Sequence, residues 1–262
     1  MIKRLLWVSL ALLPLAGNAA EGHKSCGKIE CNPVKIDLAD QPSLQRGARI
    51  FVNYCLSCHS AAYMRYNRMG ADLGLSEELV QENLLFAADK VGDLMKAVMP
   101  PEDAKEWFGT APPDLTLITR SRKPEWVYTY MRSFYRDNKA PSGWNNVVFE
   151  NVAMPHVLYE WQGEQRPVYK TVKQTVTVEQ NGKTTKKEVD ERVFDKFELQ
   201  RPGSMSAQEY DRAMRDLTNF LVYLGEPAKL SRYRIGVYVL LFLVVFLIFA
   251  YLLKKEYWKD VH

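Results

Sequence analysis

Apolar and polar positions fall into several registers along the chain, and each predicts a different element. Residues 43–55 read as a helix, because Leu44, Ala48, Phe51 and Cys55 recur at spacings of four, three and four with Gly47 on the same side. A second amphipathic helix is predicted from Ser206 to Leu224. It opens with the capping-box pattern Ser206-Ala207-Gln208-Glu209 and carries Leu217, Phe220, Leu221 and Leu224 on one stripe. Gly47 permits a close approach, so the first helix is expected to pack against this last one. Shorter helices are expected at 77–97 and, after Pro124, at 124–135. Between them lie loops marked by Pro100-Pro101, Pro112-Pro113 and Pro141. Over 168–198 the pattern changes: Val172, Val176 and Val178 alternate loosely with polar residues, and Asn181-Gly182 is a strong turn signal. That stretch predicts a solvent-exposed β-hairpin.

The two ends are apolar in different ways. Lys3 and Arg4 precede the apolar stretch Leu5–Leu15 and the small residues Ala16-Gly17-Asn18-Ala19-Ala20, the layout of a secretory signal peptide cleaved after Ala19 or Ala20. Ile235–Leu253 is nineteen residues without a charge. As a helix it extends roughly 28 Å, close to the hydrocarbon thickness of a bilayer. Tyr233, Tyr238, Tyr251, Tyr257 and Trp258 lie where interfacial aromatics are expected. Export would leave Lys254, Lys255 and Lys259 in the cytoplasm, in line with the positive-inside bias, although Arg232 and Arg234 on the other side weaken it.

Composition then narrows the possible functions. The 262 residues are 47% hydrophobic and 25% charged, which excludes wholesale disorder. The formal charge of +4 is misleading, since the apolar termini and their flanks carry the excess. Residues 21–231 hold 28 basic and 29 acidic side chains, a net of −1, so the folded part lacks the basic footprint of a nucleic-acid binder. There is no internal repeat, phosphate-binding glycine loop or metalloprotease motif, and four histidines give no basis for a Ser/His/Asp triad.

The chemistry lies in the cysteines. Cys55-Leu56-Ser57-Cys58-His59 is the C-x-x-C-H pattern of covalent haem attachment. Two thiols one helical turn apart suit the two vinyl groups of one porphyrin, and the adjacent imidazole faces the iron from the same side. A thioredoxin-like pair has no need of His59, and a zinc site would want a second ligand pair such as Cys26 and Cys31. In an exported chain, that second pair is expected to form a local disulfide stapling the N-terminal arm. With His59 on one face of the iron, a methionine on the other makes a low-spin carrier of raised potential. Met99 (in Met99-Pro100-Pro101) and Met154 (in Met154-Pro155-His156) are both presented by proline-stiffened loops, and the residues alone do not choose between them. Met205 is a weaker third candidate. His156 and His23 are read as surface histidines rather than ligands.

Taken in order, these motifs resemble the cytochrome c1 family, the haem subunits of cytochrome bc1 complexes. The likeness runs through Cys55-Leu56-Ser57-Cys58-His59-Ser60 with Tyr63 and Tyr66, then Ala111-Pro112-Pro113-Asp114-Leu115 with Arg120 and Arg122. It continues in Ala153-Met154-Pro155-His156, Phe220-Leu221 and Glu226-Pro227, and ends in a single C-terminal membrane helix. The resemblance implies a mainly α, class I cytochrome c-like domain with loop insertions, the β-hairpin and one transmembrane helix. It implies one covalent haem c attached at Cys55 and Cys58, with His59 and Met154 as its axial ligands. Pro112 and Pro113 would lie against the haem, and Arg122, with Arg120 as competitor, would meet a propionate. The long hairpin and the Cys26/Cys31 pair depart from the pattern.

The expected organisation is a signal peptide at 1–20, a periplasmic haem domain at 21–231 with the hairpin inserted at 168–198, an anchor at 235–253 and a cytoplasmic tail at 254–262. The implied role is an electron relay in a bacterial inner membrane. The chain would sit with cytochrome b, take electrons from a Rieske-type iron–sulfur protein and pass them to a periplasmic c-type cytochrome, making no substrate bonds itself. Over 77–106, eight acids against three lysines suit a basic electron acceptor as well as they suit a solvated face. The rival readings are a membrane-anchored c-type cytochrome of another respiratory complex and, from a different class, a haem peroxidase or gas sensor.

Overall fold

A computed structural model describes residues 25–180 and 183–260. The signal-peptide stretch, His23 and the Asn181-Gly182 turn lie outside the described residues. In chain order, the small hairpin β1 (Ser25–Cys26) and β2 (Ile29–Glu30) precedes α1 (Gln41–Ile50), which runs straight into a π-helical turn at Phe51–Cys55. Then come β3 (Ala61–Arg65), α2 (Tyr66–Asp72), α3 (Glu77–Asn83), β4 (Leu94–Met95) and α4 (Pro101–Phe108). They are followed by α5 (Ile118–Ser121), α6 (Pro124–Arg132), β5 (Phe134–Arg136), β6 (Trp144–Asn146) and α7 (Tyr159–Gln162). The long strands β7 (Gly163–Gln180) and β8 (Lys183–Pro202) lead to α8 (Ala207–Gly225) and α9 (Lys229–Tyr257). The β-structure among the described residues consists of four two-stranded antiparallel pairs: β1–β2, β3–β4, β5–β6 and β7–β8.

The core forms where α1 crosses α8. A Cβ on Gly47 would lie 2.6 Å from Phe220 Cβ and still closer to the Asp216 carbonyl oxygen, so only glycine allows this crossing. Phe51 and Phe220 meet one turn further on, ring centroids 5.7 Å apart. Asp216 is buried at the crossing, where its carboxylate accepts from Ser43 Oγ at 2.7 Å and Arg46 Nε at 2.6 Å. The predicted capping box is present, with Ser206 and Glu209 closing the start of α8 reciprocally. Tyr210 Oη donates to the Met131 carbonyl at 2.8 Å, which fixes α6 against α8.

Several expectations need correction. The helix predicted over 77–97 ends at Asn83. Asp93 accepts the Lys90 N–H through its side chain and closes a turn, and Leu94–Met95 then pairs with β3. The apolar spacing of 84–95 is therefore that of a loop folded onto the core. The helix starting at Pro124 stops at Arg132, and Phe134 begins a strand. The hairpin extends beyond 168–198: its register runs from Gly163 opposite Pro202 to Gln180 opposite Lys183. His156, read as a surface residue, is 1% exposed. The Cys26–Cys31 disulfide is formed, but the arm it closes is docked: Cys26 is fully buried, and the Asn32 N–H donates to Thr129 Oγ1 on α6 at 2.8 Å.

The last helix exceeds the 235–253 span at both ends. It is 29 residues long, no part of its apolar window is buried within the chain, and length and composition suit it to cross a membrane.

Candidate functional site

The site begins at the π-turn. Leu56 N–H reaches the Phe51 carbonyl at 2.9 Å, a five-residue step that adds one residue to the turn just before the cysteines. The Cys58 and His59 N–H groups then both bond to the Cys55 carbonyl, at 3.0 and 2.7 Å. One tight turn thus presents Cys55, Cys58 and His59 together. Burial pushes the Cys55 thiol up to about 12, so it stays protonated and is poorly suited to thiol–disulfide exchange. Among the described residues, no three His, Cys, Asp or Glu side chains gather as a zinc site would require.

His59 is oriented by the proline loop. Its Nδ1 lies 2.8 Å from the Pro113 carbonyl oxygen. A carbonyl only accepts, so Nδ1 carries the proton and Nε2 keeps its lone pair for a metal. Burial lowers the pKa of His59, against a smaller opposing effect of the Pro113 bond, and this favours the neutral ring that ligation needs. The loop is itself held: Leu115 N–H donates to the Ser60 carbonyl, and Asp114 accepts the Ala62 N–H through one oxygen and the Thr116 N–H through the other, each at 2.8 Å. Pro112 and Pro113 therefore lie beside the attachment motif. Asp114, which carries no role in the sequence reading beyond its place in the motif, fixes them there.

Met99 and Met154 belong to different parts of the site. The Met99 N–H bonds to the Ser57 carbonyl at 3.1 Å, so its loop runs along the attachment segment that bears His59. Met154 is half-buried against the core from the α6 side, where Tyr130 Oη donates to its sulfur at 3.4 Å. Tyr130 is the residue sequence reasoning missed. Trp126, Tyr130 and Phe134 follow Pro124 at four-residue spacing, which marks an aromatic face but not its target. Trp126 stacks on Tyr130 at 4.9 Å with planes 10° apart, and burial raises the Tyr130 pKa far above the ordinary phenol range.

The two arginines are likewise separated. Arg120 pairs with Glu226 at 3.2 Å, and Glu226 also binds Arg232 at 2.6 Å, at the entry to the last helix. Arg122 lies over the Trp126 ring at 5.3 Å and lines a cleft of about 430 Å³ together with Lys123, Trp126 and Phe149. The residues present fit a covalent c-type haem: two cysteines and a histidine on one turn, with the imidazole's tautomer already set by Pro113.

The family model described as the Cytochrome C1 family matches residues 35–183 and 200–261. The chain belongs to the cytochrome c1 family. It is 51% identical over 262 residues to cytochrome c1 of Allochromatium vinosum, covering the whole of both chains. It is 44% identical over 264 residues to a Nitrosomonas europaea protein named ammonia monooxygenase gamma subunit, covering all of this chain and 99% of that one. Against cytochrome c1 of Rhodospirillum rubrum the identity is 25% over 296 residues, covering 100% and 98%. Membership makes the chain a covalent-haem electron-transfer subunit of the bc1 type, which is a redox subunit of a respiratory complex and not an enzyme by itself. Its last helix makes it membrane-anchored.

Proposed function

We propose that the chain relays single electrons within a quinol–cytochrome c oxidoreductase. It takes them from a Rieske-type iron–sulfur protein, sits beside cytochrome b and gives them up to a periplasmic c-type cytochrome. The observation that carries this reading is the 2.8 Å contact from His59 Nδ1 to the Pro113 carbonyl on the turn that bears Cys55 and Cys58. That contact presets a metal-binding imidazole beside two attachment thiols. One haem c, bound there, supplies a one-electron iron couple.

The chain's own residues have four tasks in this reading. Cys55 and Cys58 tether the porphyrin and His59 Nε2 ligates its iron. Met154 is the sixth ligand, supported by its hold from Tyr130 on the α6 side, whereas the Met99 loop runs with the His59 segment. Met/His ligation raises the potential and closes the iron to small gases, which separates a carrier from a peroxidase or sensor. Arg122 is assigned the propionate in preference to Arg120, a choice supported by the engagement of Arg120 with Glu226. The haem domain lies in the periplasm, and the acids of 77–106 around exposed Phe86, Val98 and Trp107 suit a basic cytochrome partner.

The test is Met154→Leu against Met99→Leu in the membrane-extracted holoprotein. Met154→Leu should keep haem covalently bound, lose the methionine-ligated spectrum, bind carbon monoxide and drop in potential. Met99→Leu should leave all four properties as they were. The opposite pattern would make Met99 the ligand. Purification in mild detergent should bring down a multispanning haem protein and an iron–sulfur protein, and a chain that runs alone refutes the complex.

A further inference from the structure

His156 is the least well accounted for polar group in the core. Its ring lies parallel to Phe134, with centroids 4.8 Å apart and planes 1° apart, and stands edge-on to Trp144 at 5.1 Å. Among the described residues, neither ring nitrogen has a hydrogen-bond partner, and the buried Gln162 Oε1 lacks one too. A neutral imidazole carries one N–H and one lone pair, and a carboxamide oxygen is an acceptor, so the two orphans are complementary. They also lie in one small region: Gln162 ends the helical turn whose Tyr159 N–H bonds to the His156 carbonyl at 3.3 Å, and its amide reaches the Arg132 carbonyl, two residues before the Phe134 ring on which His156 stacks. Folded chains rarely leave two such groups side by side unjoined.

The surroundings say what a bond between them would hold. Phe134, under the imidazole, packs edge-on to Tyr130 at 5.0 Å, and Tyr130 holds the Met154 sulfur. Pro155 stiffens the single residue between Met154 and His156. Gln162 is itself fixed, its Nε2 donating to the Arg132 carbonyl at 3.0 Å at the end of α6. We propose that the His156 N–H and Gln162 Oε1 close into a latch that fastens the Met154-Pro155-His156 segment to the base of the β7–β8 hairpin and thereby positions the Met154 thioether. His156 is a positioning residue in this account. The inference rests on Met154 being the sixth ligand.

Two substitutions isolate the latch. His156→Phe keeps a flat ring on Phe134 and removes both nitrogens. Gln162→Met removes Oε1, and its lost Nε2 bond leaves the Arg132 carbonyl paired with Gln165 Nε2 at 2.9 Å. The full-length holoprotein in detergent is read by carbon monoxide binding to the reduced state, by midpoint potential and by thermal unfolding. Each single variant should bind carbon monoxide about tenfold faster than the parent, the weight of one buried hydrogen bond. The double variant should be no faster than the faster single, because both remove one interaction. If His156 is only aromatic filler, His156→Phe leaves carbon monoxide binding and potential unchanged, and the latch is wrong. Effects that multiply in the double variant also overturn it. Should His156→Phe fail to fold, Gln162→Met alone decides, by raising carbon monoxide binding or leaving it unchanged. Met154→Leu in the same series separates the two readings. If it keeps the methionine spectrum, the ligand assignment falls and takes the latch with it. If it loses that spectrum while His156→Phe and Gln162→Met are silent, the latch alone falls.

Discussion

Replacing Tyr130 by Phe tests how α6 tunes the iron. The substitution removes one hydroxyl, which donates to Met154 Sδ at 3.4 Å, and leaves the ring stacked on Trp126 and edge-on to Phe134. In the proposed role of Met154 as sixth ligand, a donor proton on its sulfur draws electron density from it and sets a partial positive charge near the metal. Both effects favour the reduced state, so removing the proton should lower the potential. A neutral hydrogen bond is worth about 0.5–1.5 kcal/mol net, and a thioether is a weak acceptor, so about 0.5–1 kcal/mol of redox-dependent difference is a fair expectation. For a one-electron couple, at 59 mV per tenfold, that is a fall of roughly 20–45 mV. An optical redox titration of the variant beside the parent measures it, and the methionine-ligated spectrum checks that ligation survives. A potential within about 10 mV of the parent, or a rise, refutes the argument. Loss of the methionine spectrum with binding of carbon monoxide would instead show that Tyr130 holds the ligand in place rather than tuning it.

Gly47→Ala should unfold the domain or cost it at least about 3 kcal/mol in a denaturant titration, because the new methyl meets the backbone of α8 at Asp216. Tyr66→Phe should stabilise, by about 1–2 kcal/mol in the same assay, since the buried Tyr66 Oη has no partner among the described residues. It should also flatten the alkaline limb. Burial raises the Tyr66 phenol to about 12 in the folded state, so this ionisation leaves the parent's stability untouched below pH 10 and lowers it by about 3 kcal/mol as pH rises to 12, a loss the variant escapes. Deleting residues 172–188 shortens the hairpin far from its base at Gly163 and Pro202, so haem attachment and the ligand spectrum should be unchanged in the purified protein.

What was legible in the sequence was what neighbouring residues decide. The attachment motif, the capping box at Ser206, the paired strands of the long hairpin and the apolar last helix are set by spacing within a few positions. Gly47 was legible too, because a glycine amid a helical stripe points to a close crossing. The rest depends on residues distant in sequence. His156 sits in a polar-looking stretch, yet Phe134 and Trp144 bury it. The apolar positions of 84–95 suit a helix, but pairing with β3 prevails once Asp93 closes its turn. Nothing local in Arg120 distinguishes it from Arg122, and the difference comes from Glu226, more than a hundred residues on. Likewise Met99 and Met154 look alike on sequence, and only the elements their loops run beside set them apart.

The segment from Pro112 to Arg122 joins two requirements of a carrier. Pro113 orients the imidazole, and ten residues or fewer later the same segment reaches the membrane anchor through Arg120, Glu226 and Arg232. Glu226 uses both oxygens, one for each arginine. Both arginine side chains are 59% exposed, so the pairs contribute at most about 1 kcal/mol each to stability. Their value is geometric. They connect the segment that orients the His59 imidazole to the start of α9, and Thr119 adds a buried bond from its hydroxyl to the Leu221 carbonyl at 3.2 Å. In the proposed relay, a carrier that meets one partner above the membrane while fixed to another within it needs its haem edge held at a set angle to the bilayer. This short segment can provide that without adding to the core, because it bonds to the haem turn at one end and to the α8–α9 junction at the other.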